Sequence, residues 1–512
     1  MITNFIQKVD EFGLNQPDKV VFESSYPTEK KNTYGELLEY SNNLASYIDK
    51  LGIDRSQPIL VYGNQTFETI ATFLGVVKSG HAYIPIDSHS PNERIMMIND
   101  IAKPGVMITV ESLDLNLPDL FTVTPDMIAQ VFNTPTDYHV DHEVKDDETY
   151  YIIFTSGTTG KPKGVQISHK NLLSFVNWML SDEFKLPDSP RSLSQPPYSF
   201  DLSVMDWGPT LASGGTLVAL SKEETDNFKT LFEVLPKTNI QVWVSTPSFM
   251  DICLLNPAFN ADSMPNITHF LFCGEELTHK TAATLRKRFP KARIFNTYGP
   301  TETTVAVTQV EITDDILAKY DRLPIGKPKP DTSMTIVDPE SGKPVLESQK
   351  GELLIQGPSV SKGYINNPEK TKAAFIDKTP RQYRSGDLCA RDSNGQILFY
   401  GRTDFQIKLH GYRIELEEVD FHLSHQKMIK QGVAVPLYDK DHKVSQLIAW
   451  VVPTTPVDGN DSKLDLTEKI KSGLKEEMLA YMIPNRIVFK DSLPQTANGK
   501  IDVKSIVKEV NS

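Results

Sequence analysis

The sequence predicts an α/β protein: a large N-terminal domain built on mostly parallel sheets with flanking helices, then a small C-terminal α+β domain joined by a hinge. Three observations carry this expectation. Strand and helix patterns alternate between Asn239 and Asn296. The β-favouring run Tyr151–Phe154 stops abruptly in a loop of Gly, Ser, Thr, Lys and Pro. After residue 400 the pattern changes to short strands and short helices. At 512 residues the chain can hold two or three cores.

The loop Thr155-Ser-Gly-Thr-Thr-Gly-Lys-Pro-Lys-Gly164 ends that first strand. Free backbone N–H groups, hydroxyls and two ammonium groups suit a polyphosphate. It is not the loop of P-loop NTPases. Pro162 follows Gly160-Lys161, so one backbone donor and the Mg²⁺-binding hydroxyl of that motif are both missing.

Asn239–Ser245 alternates apolar and polar residues, and Pro247–Leu255 follows with helical character. His269–Cys273 is a continuous apolar run, Thr278 can cap a helix reaching Phe289, and Arg293–Asn296 is the next strand. Such alternation implies right-handed crossovers and a parallel sheet. Ligands of such sheets bind beyond the carboxyl ends of the strands. Ser245-Thr246, Cys273-Gly274 and Asn296-Thr-Tyr-Gly-Pro-Thr-Glu302 should therefore share a crevice.

In the C-terminal part, Gly401–Leu416 reads as two short strands joined at Gly411. A helix over Glu417–His425, strands at Val433–Leu437 and Leu447–Val452, a helix over Leu466–Leu479 and a strand at Arg486–Phe489 follow. The expected boundaries are a large domain over 1–402, a hinge at 403–405 and a small domain over 406–512.

Composition excludes several classes. The chain is 39% hydrophobic and 23% charged, with net charge −13 and no Lys/Arg stripe. That argues against nucleic acid or an anionic membrane as partner. The N-terminus carries charge early, and no apolar run approaches a membrane span. Three scattered cysteines, Cys253, Cys273 and Cys389, suit neither a disulfide framework nor a zinc site. A cytoplasmic protein is expected.

Taken together, Thr155–Gly164, Asn296–Glu302, Tyr383-Arg-Ser-Gly-Asp387, Gly401–Glu415 and Leu493-Pro-Gln-Thr-Ala-Asn-Gly-Lys500 resemble, in order, the signatures of the adenylate-forming superfamily. The similarity is strongest to amino-acid adenylation domains of nonribosomal peptide synthetases, and runs from Thr33-Tyr-Gly-Glu-Leu through Gly80–Asp87 to Asn498–Asp502. Within the superfamily the chain is most similar to stand-alone enzymes that load D-alanine onto a separate carrier protein for lipoteichoic acid D-alanylation. It ends shortly after Lys500, which leaves no room for a fused carrier; its substrate motif is Tyr198-Ser-Phe-Asp201-Leu-Ser-Val-Met-Asp; and Cys273 stands where many relatives have a smaller residue.

The resemblance implies an ATP- and Mg²⁺-dependent ligase. An amino-acid carboxylate attacks the α-phosphorus and expels pyrophosphate, so positioning and charge stabilisation are the main tasks. Lys500 would bridge carboxylate and α-phosphate, Thr301 would contact the α-phosphate, and Glu302 would hold the metal. The implied ATP site comprises Thr155, Ser156, Gly157, Thr158, Thr159 and Lys163 of the loop; Asn296, Thr297, Tyr298, Gly299, Pro300 and Thr301; Asp387; Phe399, Tyr400, Gly401 and Arg402; and Lys500. Tyr298 would offer a face to adenine, Asn296 its amide, and Asp387 its carboxylate to the ribose.

Asp201 would receive the substrate ammonium, although an aspartate there could also cap the helix that follows. Leu202, Met205, Leu271, Cys273, Thr297, Val305 and Ala306, with Lys500, would line a small D-alanine pocket in which Cys273 acts by bulk. The second step would transfer the acyl group to the phosphopantetheine thiol of a separate acidic carrier protein, after rotation about a hinge at Asp404. A monomer is expected. The alternatives are an adenylation enzyme for glycine or L-alanine, an acyl-CoA synthetase, and a non-catalytic nucleotide-binding protein. Asp201 opposes the acyl-CoA synthetase.

Overall fold

The computed structural model of the protein describes all residues except 25–28, 137, 139–141, 158–160, 405, 441–442, 456, 458 and 496–500. The chain divides into two compact units. The first comprises Met1–Ser88, Ile101–Phe154 and Gly164–Gly401; the second comprises His89–Asp100, Thr155–Lys163 and Arg402–Ser512.

The first unit carries the parallel sheets expected from the sequence. One sheet has nine strands, and its centre runs Arg293–Tyr298, His269–Phe272, Val242–Ser245, Arg191–Ser194, Thr216–Ala219, Val20–Ser24, all parallel. Antiparallel strands close both edges. A second sheet has six strands and includes Ile59–Tyr62, Tyr83–Ile86 and Thr149–Thr155, paired in parallel. A third, with five strands, is built on the antiparallel pairing of Gly351–Gln356 with Gln382–Arg391.

Local chemistry sets the crossover helices. Thr246 caps the helix Pro247–Leu254, accepting from Phe249 N, and proline at the first helical position needs no N–H partner. Thr278 caps His279–Arg288, whose last turn, Arg286-Lys287-Arg288, opposes the helix dipole. Both helices occur where the sequence placed them. The strand expected over Asn239–Ser245 is shorter, Val242–Ser245, because Asn239 takes a positive φ of 51° before it.

In the second unit, Gln406–Leu409 and Tyr412–Glu415 form a hairpin. His410 and Gly411, at φ 54° and 84°, make the two-residue turn whose twist suits paired strands. Leu416–His425 is helical, and Ile429–Tyr438 pairs antiparallel with Val444–Pro453, which runs parallel to Arg486–Phe489. Ile414, Val419, Leu423 and Leu474 pack in one apolar cluster, and Val433, Trp450 and Ile506 in another. The helix expected over Leu466–Leu479 instead spans Asn460–Glu477.

Candidate active site

Of three parallel strands of the first unit, Val242–Ser245 and His269–Phe272 end in register, and Arg293–Tyr298 runs two residues further. Ser245 lies opposite Phe272, and Phe272 opposite Asn296. Thr246 and Cys273 thus follow their strands at the same end of the sheet, level with Thr297, as strand polarity requires. The Asn296 side-chain amide donates to Pro324 O at 2.8 Å, and the Thr297 hydroxyl donates to Phe272 O at 2.8 Å. Both side chains are buried and directed by backbone carbonyls.

Beyond Tyr298 the chain folds back on itself. A Cβ on Gly299 would lie 2.6 Å from Ala306 Cα and 2.7 Å from Val305 O, so only glycine admits this approach. A single 3₁₀ turn, Thr301–Thr303, places Glu302 wholly out of solvent. The Tyr364 hydroxyl donates to Glu302 Oε1 at 2.8 Å. A buried carboxylate needs such a donor. Among the described residues no group of three or more His, Cys, Asp or Glu side chains could hold a metal ion alone. One buried carboxylate, Glu302, would suit instead a hard cation that takes water and phosphate oxygens as its other ligands. That donor set fits Mg²⁺.

Asp387 is aimed by an irregularity. Pairing between Gly351–Gln356 and Gln382–Arg391 shifts register between Glu352 and Leu354, opposite Ser385–Asp387, and Gly386 takes a positive φ of 69°. Such bulges redirect a side chain. Ser385 Oγ accepts from Asp387 N at 3.0 Å and donates to Leu353 O at 2.7 Å. The Tyr298 hydroxyl donates to the Asp387 carboxylate, which joins the residue assigned to adenine with the one assigned to ribose. The Phe399 ring centroid lies 6.4 Å from that of Tyr298. Lys350 Nζ sits 4.0 Å from the centre of the Tyr400 ring, and Gly401 has φ 106°.

Asp201 is half-buried in the turn before the helix Ser203–Ala212. Leu202 occupies the cap position of that helix, one residue after Asp201, and supplies no side-chain cap. Its carboxylate adds to the burial that raises the Tyr151 phenol. Leu202, Met205, Leu271, Cys273, Val305 and Ala306 are buried members of one apolar cluster, and Thr297 is buried as well.

Two neighbours escaped the sequence reading. Tyr364 lies too far from Glu302 in sequence to be read as its partner. Asp206, fully buried on the Ser203–Ala212 helix, has its carboxyl pushed well above the usual range by burial. The signal for Asp206 was an acid inside an otherwise apolar helical run.

The second unit holds the Gly-rich loop. Its donors face acceptors within that unit. Ser156 Oγ donates to Arg413 O at 2.9 Å, Gly157 N donates to Glu418 Oε2 at 2.9 Å, and Lys163 Nζ lies 3.1 Å from Glu415 Oε1. Arg94 approaches Glu418 Oε1 at 3.7 Å, while burial raises the Glu418 pKa. Gly157 N and Lys163 Nζ therefore already hold carboxylate oxygens, the kind of acceptor a phosphate presents. The Arg402 guanidinium grips Asp404 through two bonds, of 2.6 and 2.7 Å. Burial raises the Asp404 pKa, but these bonds outweigh it, and the net shift is downward. Thr158, Thr159 and Lys500 lie outside the described residues.

The model of the AMP-binding enzyme family matches residues 9–365, and that of the AMP-binding enzyme C-terminal domain matches 418–500. The chain is 62% identical to a D-alanine–D-alanyl carrier protein ligase of Lactiplantibacillus plantarum, with both chains covered in full. It is 49% identical to the ligase of the same name from Streptococcus agalactiae, again over 100% of each chain. Its fold is similar to that of the Vibrio cholerae adenylation domain AlmE, solved in complex with glycyl-adenosine-5′-phosphate. That likeness has a TM-score of 0.81 at 23% identity and covers 100% of this chain and 98% of the other.

Proposed function

The chain belongs to the AMP-binding enzyme family, and from that premise we propose that it is the ligase that activates D-alanine with ATP and passes it to a separate carrier protein. The observation that best supports this is the setting of Asp201, a half-buried carboxylate followed at once by the packed apolar residues Leu202 and Met205. An ammonium group meets a charge there, and a methyl group meets a closely packed wall. A substrate without an amine would forgo this opposite charge and bind less well. An acyl-CoA synthetase or a non-catalytic nucleotide binder gives no reason for this arrangement.

In the first step the substrate carboxylate oxygen attacks the α-phosphorus, and the bond to the pyrophosphate oxygen breaks. Tyr298 and Asp387 hold the nucleoside, while Ser156, Gly157 and Lys163 supply donors to the phosphates. Thr301 and Lys500 stabilise charge on the α-phosphate. Mg²⁺, held by Glu302, would neutralise charge on the phosphate oxygens.

In the second step the phosphopantetheine thiol of an acidic carrier protein attacks the acyl carbon. AMP leaves and a thioester forms. Asp404 serves as the hinge between the steps, and the D-alanyl group is destined for lipoteichoic acid. We place the enzyme in the cytoplasm as a monomer. No helix among the described residues is long and apolar enough to cross a membrane.

Pyrophosphate exchange with D-alanine, L-alanine, glycine and short fatty acids tests the reading. D-Alanine should give the highest rate and the fatty acids none. A preference for a fatty acid would refute it.

A further inference from the structure

The helix that follows Asp201 carries polar groups on the side it turns to the sheet. Asp206 and Thr210, one turn apart, share a face of Ser203–Ala212. Ser192 and Ser194 share a face of the strand Arg191–Ser194. The Thr210 hydroxyl donates to Ser192 Oγ at 2.7 Å, which sets these faces against each other. In the same register Asp206 faces Ser194, whose Oγ lies 3.4 Å from the Tyr198 hydroxyl. All of these side chains are buried.

Asp206 is the costly member of this seam. It is wholly out of solvent, and among the described residues neither of its carboxyl oxygens has a hydrogen-bond partner of ordinary geometry. Burial pushes the carboxyl well above the usual range, against the pull of Trp207 N–H and the Ser194 hydroxyl. At neutral pH the group is thus a neutral acid, with an O–H to donate and a carbonyl to accept. An apolar side chain would fill the place without the desolvation cost of a polar one. Packing alone therefore does not account for an acid here.

Its place in the chain does. Strand and helix are joined by residues 195–202, and Asp201 lies near the end of that turn. Phe200 N donates to Pro197 O at 2.9 Å, and Val204 N donates to Asp201 O at 3.0 Å. Ser194 enters the turn, Tyr198 stands at its middle, and Asp206 lies on the element that leaves it. We propose that Asp206 is a positioning residue for the substrate amine, locking the turn that bears Asp201 through the Ser194–Tyr198 hydroxyl pair. The proposal rests on the reading of Asp201 as the partner of that amine. A charged group displaced by about 1 Å loses much of its directed bonding to a small substrate. Asp206 acts on the place of Asp201 and does not touch the substrate.

Pyrophosphate exchange, with KM resolved for D-alanine and for ATP, tests this. Asp206→Leu removes both polar atoms, whereas Asp206→Asn restores a neutral donor and acceptor. Asp206→Leu should raise KM for D-alanine by about fivefold or more and leave KM for ATP within about twofold. Asp206→Asn should hold KM for D-alanine within about twofold of the parent. Tyr198→Phe, which loses one hydroxyl, should raise it by about three- to fivefold. An unchanged KM for D-alanine in folded Asp206→Leu, or an equal rise for ATP, would overturn the proposal, as would an asparagine variant no better than leucine. Unfolding midpoints show which variants fold. If Asp206→Leu does not, Tyr198→Phe decides, and an unchanged KM for D-alanine there overturns the proposal. Full D-alanine activation by Asp201→Asn would end the underlying reading and this proposal together. Loss at Asp201 with none at Asp206 ends this proposal only.

Discussion

The apolar cluster proposed to hold the amino acid and the Gly-rich loop proposed to hold phosphate are built by opposite means. Leu202, Met205, Leu271, Val305 and Ala306 are buried in a dry, closely packed cluster, and the backbone at Val305, with φ 64°, is strained to complete it. Ser156, Gly157 and Lys163 instead make polar contacts with acceptors that a ligand can replace. Packing of the first kind discriminates by shape because it does not yield. Contacts of the second kind suit a group that must arrive and then leave as pyrophosphate. On the proposed function, selectivity and turnover rest on different chemistry within one chain.

The sharpest test of this contrast is Asp201→Asn, which removes the charge and keeps the shape. It should lower kcat/KM for D-alanine by about 10-fold or more, as expected when the ammonium loses its opposite charge. A loss under tenfold would place the ammonium elsewhere.

Next comes the rigidity of the first unit under acid. Phe5 N donates to His169 Nε2, and His269 Nε2 lies 3.1 Å from Phe184 O. Burial lowers both pKa values to about 4, against 6.5 for the free side chain. The unfolded chain therefore binds more protons between these values. The stabilisation is complete above about pH 6.5 and declines toward pH 4, by about 3 kcal/mol per histidine at most. Unfolding midpoints should fall over that window, and His269→Gln should flatten the fall. An unchanged pH slope in the variant would clear His269 of the effect.

Tyr364→Phe addresses Glu302, the buried carboxylate proposed to hold the metal. It should raise the Mg²⁺ concentration for half-maximal activity by about 10–100-fold, the usual cost of losing a partner of a metal ligand. An unchanged Mg²⁺ requirement would separate Glu302 from the metal.

The smallest effect is expected at the loop. Glu418→Gln removes a charge that competes for Gly157 N–H, and should tighten ATP binding by about two- to fivefold in calorimetry. Weaker binding would make Glu418 a support of the loop and not a competitor for it.

What the sequence disclosed follows from range. The helix His279–Arg288 and its Thr278 cap were legible because cap, basic last turn and apolar spacing all lie within a few residues. The start of the helix at Asn460 was not, because residues 460–465 are exposed and lack an apolar face to mark the period. The row of strand ends could be inferred from polarity alone. The Tyr364–Glu302 bond could not, since it joins residues far apart in the chain. Nor could the positive φ of Thr304 and Val305, because two β-branched residues favour a strand and only tertiary packing forces them otherwise.

The bulge beside Asp387 makes the protein unusually sensitive to length at one spot. Side chains alternate faces along a strand, so deleting Gly386 would move every residue on one flank to the opposite face of the sheet. A chain shortened there could still pair its strands, yet would turn Asp387 away from Tyr298. Insertions and deletions at this point should thus be far more damaging than most point substitutions nearby.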